Sequence, residues 1–81
     1  MDQKLQRKLT SLILKASTKL SIDYKRGGAN YVRVPNYIIE SFPDRTILGI
    51  TIYDDMDLID TVIVGIAVND FEVHETIKIN E

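Results

Sequence analysis

Residues 58–79, with the sequence LIDTVIVGIAVNDFEVHETIKI, decide the fold of this chain. Within them, residues 58–68 are apolar on both faces of an extended segment, which is typical of a central strand or of a strand that another subunit covers. Residues 69–70, Asn-Asp, predict a turn. Apolar and polar side chains then alternate from Phe71 onward, with only Glu75 out of pattern. This period of two predicts a final, half-exposed strand.

The preceding region contains a further extended segment. Residues 46–53 have the pattern of a strand, and a turn is predicted after it at residues 54–57. In this predicted strand, the side chains of Leu48, Ile50 and Ile52 share one face.

A short helix is predicted between the two prolines of the chain. Pro35 favours the first position of a helix, and residues 36–42 can form about two turns before Pro43 ends them. A strand is the alternative, because Ile38 and Ile39 are β-branched.

The N-terminal segment predicts an amphipathic helix, since no proline or glycine interrupts residues 2–19. The side chains predicted to face the core recur every three or four positions. They are Leu5, Leu9, Leu12, Ile13, Ala16 and Leu20. At about 100° per residue, one flank of this apolar face is basic. It carries Lys4, Lys8, Lys15 and Lys19.

Together these segments predict a single α+β domain. We expect an amphipathic helix at residues 1–20, a basic hairpin with a short hinge helix at residues 21–45, and antiparallel strands at residues 46–81. The sheet would have four to five short strands and be mainly antiparallel. One helix of about 18 residues cannot cover both faces of the apolar strand at residues 58–68, and we therefore predict a homodimer.

The net charge of −2 conceals a separation of charge along the chain. Residues 1–33 carry eight basic and two acidic side chains, a net charge of +6, whereas residues 34–81 carry two and ten, a net charge of −8. Such asymmetry is typical of contact with nucleic acid or with an anionic membrane on the basic side; the alternative is that folding brings the two signs together. The membrane is the weaker prediction, because the helix leucines are needed for the core and no apolar run approaches the roughly 18 residues of a membrane span.

Residues suited to catalysis or metal binding are few. The chain has no cysteine, which excludes disulfides and thiolate metal sites and favours a cytoplasmic location. His74 is the single histidine and has no second histidine or cysteine as a metal or triad partner. Asp55, Asp57 and Asp60 do not form a calcium loop, since Asp60 stands where glycine is needed and Ile66 where glutamate is needed. We therefore predict no enzymatic activity, no cofactor and no metal site.

The basic segment at residues 24–33, YKRGGANYVR, is the strongest functional signal. A period of two around Ile22 and Tyr24, and again at residues 31–34, predicts two short strands joined by residues 26–29, whose glycines suit a turn. A two-stranded ribbon of this kind fits the major groove of DNA, where arginine reaches phosphates or guanine edges. A solvated turn is the alternative, because Arg-Gly-Gly is common in loops.

Residues 25–35, KRGGANYVRVP, followed by Ile38, Ile39, Glu40 and Phe42, resemble the core of AbrB/MazE-type swapped-hairpin (looped-hinge helix) DNA-binding domains. That family typically shows a basic residue, a polar turn, a Val-Arg-Ile-Pro strand end and a short helix. The resemblance implies an intertwined homodimer of β-hairpins hinged on the short helix.

The resemblance also implies where DNA would be contacted. The implied nucleic-acid-binding residues are Lys25, Arg26, Gly27, Gly28 and Arg33. We therefore predict a small dimeric DNA-binding transcriptional regulator or antitoxin-like protein whose partner is double-stranded DNA.

The acidic C-terminal half supports an alternative function. It predicts a non-enzymatic protein-binding inhibitor of the phage-type, anti-CRISPR or immunity-protein kind, because carboxylates interleave there with apolar side chains that could anchor a partner. The residues predicted to contact that partner are Asp54, Asp55, Asp57 and Asp60.

Overall fold

One long helix and one five-stranded sheet form the two layers of the protein. The computed structural model describes residues 3–79, so the ends of the predicted helix at residues 1–20 and of the predicted strand region at residues 46–81 lie outside the described residues. The elements in chain order are α1 (Gln3–Tyr24), β1 (Tyr31–Val34), α2 (Asn36–Ile39), β2 (Thr46–Ile47), β3 (Ile50–Asp54), β4 (Thr61–Val68) and β5 (Phe71–Lys78). The predicted α+β class is confirmed, with its N-terminal helix, its short second helix and its mainly antiparallel sheet.

The apolar face of α1 packs on the sheet as its spacing predicts. Leu9 and Ile13 are completely buried, and Leu20 and Ala16 are nearly so. Burying side chains of this size contributes about 1.5–3 kcal/mol each for the leucines and isoleucine. This one face therefore supplies much of the attachment of α1 to the rest of the domain.

The predicted strand around Ile22 and Tyr24 is wrong, because α1 continues to Tyr24. Ile22 is 70% exposed on the outer surface of the helix, so its spacing from Tyr24 does not reflect a strand face. Lys25, with a left-handed φ of 54°, ends the helix. The predicted basic hairpin is consequently absent, and residues 25–30 instead connect α1 to β1.

The strands lie in the order β2-β3-β1-β4-β5. β1 is central and pairs antiparallel with β4 and parallel with β3, with Val32 opposite both Val64 and Ile52. The parallel pair arises because α2 and β2 both intervene between β1 and β3 and return the chain to the same direction. All other pairings are antiparallel.

Two of the predicted boundaries are wrong. The predicted strand at residues 46–53 is divided into β2 and β3 by a two-residue turn at Leu48 and Gly49, whose φ values are 55° and 77°. Positive φ at both positions is what a tight hairpin turn requires, and it leaves Leu48 exposed. The second helix, α2, is one turn long and not two. Pro35 takes the N-cap position and not the first helical position, and its carbonyl accepts a hydrogen bond of 3.0 Å from the Ile38 N–H.

The sheet has one buried and one open face. Alternate side chains of β1, β3 and β4 point towards α1 and are buried; they are Val32, Val34, Ile52, Val62, Val64 and Ile66. The open face carries Tyr31, Arg33, Thr51, Tyr53, Ile63, Gly65, Ala67, Glu72, His74, Thr76 and Lys78.

Of the two interpretations of residues 58–68, the structure supports the central strand. Residues 58–60 belong to a loop, and β4 begins at Thr61 and lies between β1 and β5. The turn at residues 69–70 and the half-exposed final strand are confirmed. Glu75, which departs from the alternation, points to the helix side of the sheet and pairs there with Lys19.

Candidate functional site

The outer face of α1 carries a row of cations. Every charged residue between Gln3 and Ile22 is a cation, and together these side chains form what we call the basic helix surface. Its members are Lys4, Arg7, Lys8, Lys15 and Lys19, all exposed. Because α1 has 22 residues, it is about 33 Å long. The cations are therefore spread along one side of a rigid rod that the sheet supports from behind.

Only one of these cations is neutralised by an ion pair among residues 3–79. Lys19 Nζ lies 2.8 Å from Glu75 Oε1. The hydrogen bond from Lys19 to Glu75, together with the charge of that carboxylate, raises the pKa of the Lys19 ammonium above its ordinary value of 10.5. The other four cations keep their charge available to an external anion.

The α1–β1 connection, residues 25–30, extends the basic helix surface past the end of the helix. Lys25 is exposed. The Arg26 guanidinium lies 4.0 Å from the centroid of the Phe71 ring, and the Tyr24 ring meets the same phenyl ring edge-on at 5.7 Å. Stacking orders the Arg26 side chain while its donors remain free for an anion.

Ser17 holds the connection against α1. Its hydroxyl accepts a hydrogen bond of 2.8 Å from the Ala29 N–H, and a side chain at Gly28 would come within 2.5 Å of the same oxygen. Gly28 is thus required for packing. Gly27 has no other group within 4 Å of the position that a side chain would occupy, so its backbone is the one a phosphate can approach closely.

Arg33, the third predicted cation, lies on the other face of the sheet. Arg26 stacks on Phe71, which belongs to the helix side of β5, whereas Arg33 projects from β1 on the open face, where it stands opposite Tyr53 and Ile63. Of the five residues that the resemblance implies, the structure brings together residues 25–28 and separates Arg33 from them.

A groove of about 560 Å³ crosses the open face next to Arg33. Its lining includes Asn30, Tyr31, Tyr53 and Glu72, which are not among the predicted site residues. It also includes Asp54 and Asp55, which are predicted protein-binding residues. The Arg33 guanidinium lies 5.7 Å from the centroid of the Tyr31 ring. The side chain of Asn30 extends the pairing of β1 with β4 by exchanging two hydrogen bonds with the Ala67 backbone, at 2.8 and 3.0 Å.

The packing of its ring fixes the side chain of Tyr31 in this groove. Its ring lies directly on Gly65, where any side chain would overlap it. Burial raises the pKa of the Tyr31 hydroxyl above 10.0, and Glu72 adds to this effect while Arg33 opposes it. The sequence pattern placed Tyr31 in a strand, but only the position of Gly65 directly opposite on β4 identifies it as a groove wall.

The acidic turn after β3, residues 54–57, is held in place by hydrogen bonds of Asp55. The Asp55 carboxylate accepts a hydrogen bond of 2.9 Å from the Asp57 N–H, and the Asp55 N–H donates to the Val34 carbonyl. Asp54, Asp57 and Asp60 are exposed. Beside them, a shallow groove of about 490 Å³ runs between this turn and α2.

Exposed apolar side chains accompany those carboxylates. Met56 is 88% exposed and Ile59 is 78% exposed, and Tyr37 of α2 stands across the same groove. Among residues 3–79, no three acidic or histidine side chains converge to hold a metal ion. No helix in the described part of the chain is both long and apolar enough to cross a membrane.

Comparison with known proteins adds no relative. The chain gives no match to a family model, to a curated protein or to a solved structure. The resemblance of residues 25–35 to AbrB/MazE-type domains therefore stays a prediction.

Proposed function

We propose that the protein binds double-stranded DNA through the basic helix surface together with Lys25, Arg26 and the Gly27 backbone, as a small cytoplasmic regulator or antitoxin-like protein. The observation that carries the proposal is the row of five exposed cations along α1, which contains no acidic residue between Gln3 and Ile22. Phosphate contacts supply most of the affinity of such interfaces.

The burial of the apolar face of α1 favours DNA over a membrane as the anionic partner. The leucines and isoleucine that a membrane-bound helix would insert are buried against the sheet, and a lipid surface would have to be held by the outer cations alone. A duplex presents phosphates along a rigid line, which matches cations that extend from Lys4 to Lys19, over about 22 Å of helix.

The proposed binding mode differs from docking of a hairpin in the groove. Residues 25–28 lie at the C-terminal end of α1 as part of the connection, so they extend the phosphate-binding surface of the helix. Arg33 lies on the open face of the sheet and is not part of this phosphate-binding surface. This mode predicts modest sequence preference, because phosphate contacts carry no base information.

A salt titration tests the proposal. If the four cations of α1 that have no ion pair among residues 3–79 each neutralise one phosphate, the slope of log K against log salt is about −3.6. The affinity for a mixed-sequence duplex then falls about 150-fold between 50 and 200 mM salt. Lys15→Gln should make that slope shallower by about 0.9. Fluorescence anisotropy of a labelled duplex measures both quantities.

Arg45→Gln is the matched control, because it removes one exposed cation outside the basic helix surface. Its slope should equal that of the wild type. Equal losses for Lys15→Gln and Arg45→Gln would show that only the total charge matters, and would refute the assignment to α1. Anionic vesicles that bind as tightly as the duplex at equal salt would refute DNA as the partner.

A second candidate function, protein binding through the acidic turn, is favoured by the exposure of Met56 and Ile59 among the carboxylates. Apolar anchors within a charged rim are typical of protein interfaces. Asp54→Lys together with Asp57→Lys should abolish capture of a basic partner protein, and both changes leave the hydrogen bond to the Asp55 carboxylate in place, because its donor is the Asp57 backbone. Capture that survives this reversal would count against this function.

A further inference from the structure

The outer side of β5 is a long sheet edge. β5 has eight residues and lies at the end of the strand order, paired with β4 over its whole length without a bulge. The opposite edge of the sheet, β2, has only two residues, and short edge strands protect against pairing with other chains. β5 contains neither proline nor glycine, so it retains the full set of groups that another strand can bond.

The turn before β5 determines which of its backbone groups are free. Val68 and Phe71 flank a two-residue turn and face each other, so they exchange hydrogen bonds, and the pattern alternates from there. The N–H and C=O groups of four residues therefore point away from β4. They are Glu72, His74, Thr76 and Lys78.

The side chains of β5 are complementary to a second copy of β5 in one register. Antiparallel pairing about a two-fold axis at Glu75 places Glu72 opposite Lys78 of the second copy, and the reverse pair occurs by symmetry. It also places Val73 opposite Ile77, again twice. Opposite charges and apolar pairs at facing positions are the pairs that stabilise a sheet.

Neighbouring registers are less favourable. A shift of two residues in one direction places Val73 opposite Glu75, and a shift in the other direction places Glu75 opposite Ile77. In the favoured register, Glu75 faces its own copy on the helix side, where each carboxylate already has Lys19 at 2.8 Å. Of these three registers, only the one centred on Glu75 pairs Glu72 with Lys78 and Val73 with Ile77.

We propose that the β5 edge is a homodimer interface, at which antiparallel pairing of β5 with β5 of a second copy joins the two sheets into one continuous sheet of ten strands. Val73 and Ile77, which are half-buried in one copy, become fully covered. The interface does not depend on the proposed DNA binding. Because a two-fold axis normal to the sheet leaves both α1 helices on the same side, it also places the two basic helix surfaces side by side.

Charge reversal at the paired positions tests the interface. Lys78→Glu replaces two attractive pairs by two Glu–Glu pairs, and we expect it to raise the dimer dissociation constant by about 10- to 100-fold. Glu72→Lys should do the same through two Lys–Lys pairs. The double variant Glu72→Lys/Lys78→Glu restores the attraction and should dimerise like the wild type. Sedimentation velocity over a range of concentrations measures the constants.

Asp57→Lys serves as the control, because it reverses an exposed charge in the β3–β4 loop and not on the β5 edge; its dissociation constant should equal that of the wild type. Circular dichroism of each variant establishes that it is folded. Recovery of the dimer in the double variant supports the proposal. A wild-type chain that is monomeric at about 100 μM, or a dimer indifferent to both single reversals, overturns it.

Discussion

Replacing Gly65 by alanine tests how the open face is packed. Gly65 is buried in β4, and its backbone does not have the left-handed conformation that would require glycine. A methyl group at this position would nevertheless overlap the ring of Tyr31. Gly65→Ala therefore has two opposite effects on the free energy of unfolding: a favourable one from the backbone and an unfavourable one from contact with the side chain of Tyr31.

The two effects have different magnitudes. At a compatible backbone position, replacing glycine by alanine stabilises a protein by about 0.4–1 kcal/mol, because it restricts the unfolded chain. Forcing an extra methyl group into a packed site costs about 1–3 kcal/mol. We expect a net loss of about 1 kcal/mol for Gly65→Ala, which lowers the melting temperature of a domain this small by about 4–8 °C.

The sign of the effect should reverse when the ring is removed. In a Tyr31→Ala background the overlap no longer exists, so Gly65→Ala should raise the free energy of unfolding by about 0.4–1 kcal/mol. Urea and thermal unfolding of the four proteins, at one fixed protein concentration, give the double-mutant cycle. Gly27→Ala is the control, since nothing lies near its added methyl group, and it should not destabilise. Equal destabilisation by Gly65→Ala in both backgrounds would refute the contact with Tyr31.

Three further predictions concern local contacts. Leu48→Asn should raise the free energy of unfolding by about 0.5–1 kcal/mol, because asparagine tolerates the left-handed backbone of the β2–β3 turn better than leucine; an unchanged urea midpoint would contradict this. Ser17→Ala should lower the free energy of unfolding by about 1 kcal/mol, since it removes the acceptor of the Ala29 N–H, and amide exchange at Ala29 should accelerate. The ion pair with Glu75 raises the pKa of Lys19 in the folded state. The stabilisation that this ion pair gives to the fold is therefore fully present below the ordinary lysine pKa, and it is lost as pH rises through the higher pKa of the folded state. Glu75→Gln should weaken that dependence, and NMR titration should then give Lys19 a lower pKa than it has in the wild type.

Periodicity predicts the apolar face of α1 but not its end. Leu9, Ile13 and Leu20 follow the helical spacing, and each is buried. Beyond Leu20, the side chains of Ile22 and Tyr24 do not face the core, so their spacing is equally compatible with a strand. In the last turn of α1, the Tyr24 ring contacts Phe71. Phe71 is distant in sequence, so no local pattern predicts this contact.

The parallel pairing of β1 with β3 has a similar origin. Each strand is short, and its own sequence is compatible with either direction. The direction of β3 depends on a turn at Leu48 and Gly49 inside a segment whose apolar spacing indicates one continuous strand. Leucine in a left-handed conformation is uncommon, which is why the turn was not predicted. A single turn of this kind reverses the chain and so changes the topology of the sheet.

The charges of the candidate site follow from the sequence, but their arrangement does not. The basic character of residues 1–33 and the acidic character of the rest are visible in the composition. Lys25, Arg26 and Arg33 lie within nine residues of each other, yet the sheet separates Arg33 from the other two. Whether a cation on a strand faces the helix or the open side depends on register, which the pairing of β1 with β4 determines.

The two-layer architecture explains why this separation of charge bears on binding. α1 covers one face of the sheet, so the basic helix surface and the open face, bordered by Asp54 and Glu72, lie on opposite sides of the domain. If the protein binds DNA as proposed, the duplex is attracted to the side of the basic helix surface and not to the open face, where Asp54 and Glu72 offset the charges of Arg33 and Lys78. A dimer formed through the open faces would place the two basic helix surfaces on opposite outer sides. The proposed pairing through β5 places them on the same side. If the proposed DNA binding also holds, one duplex contacts both basic helix surfaces, so this dimer doubles the cations available to that duplex.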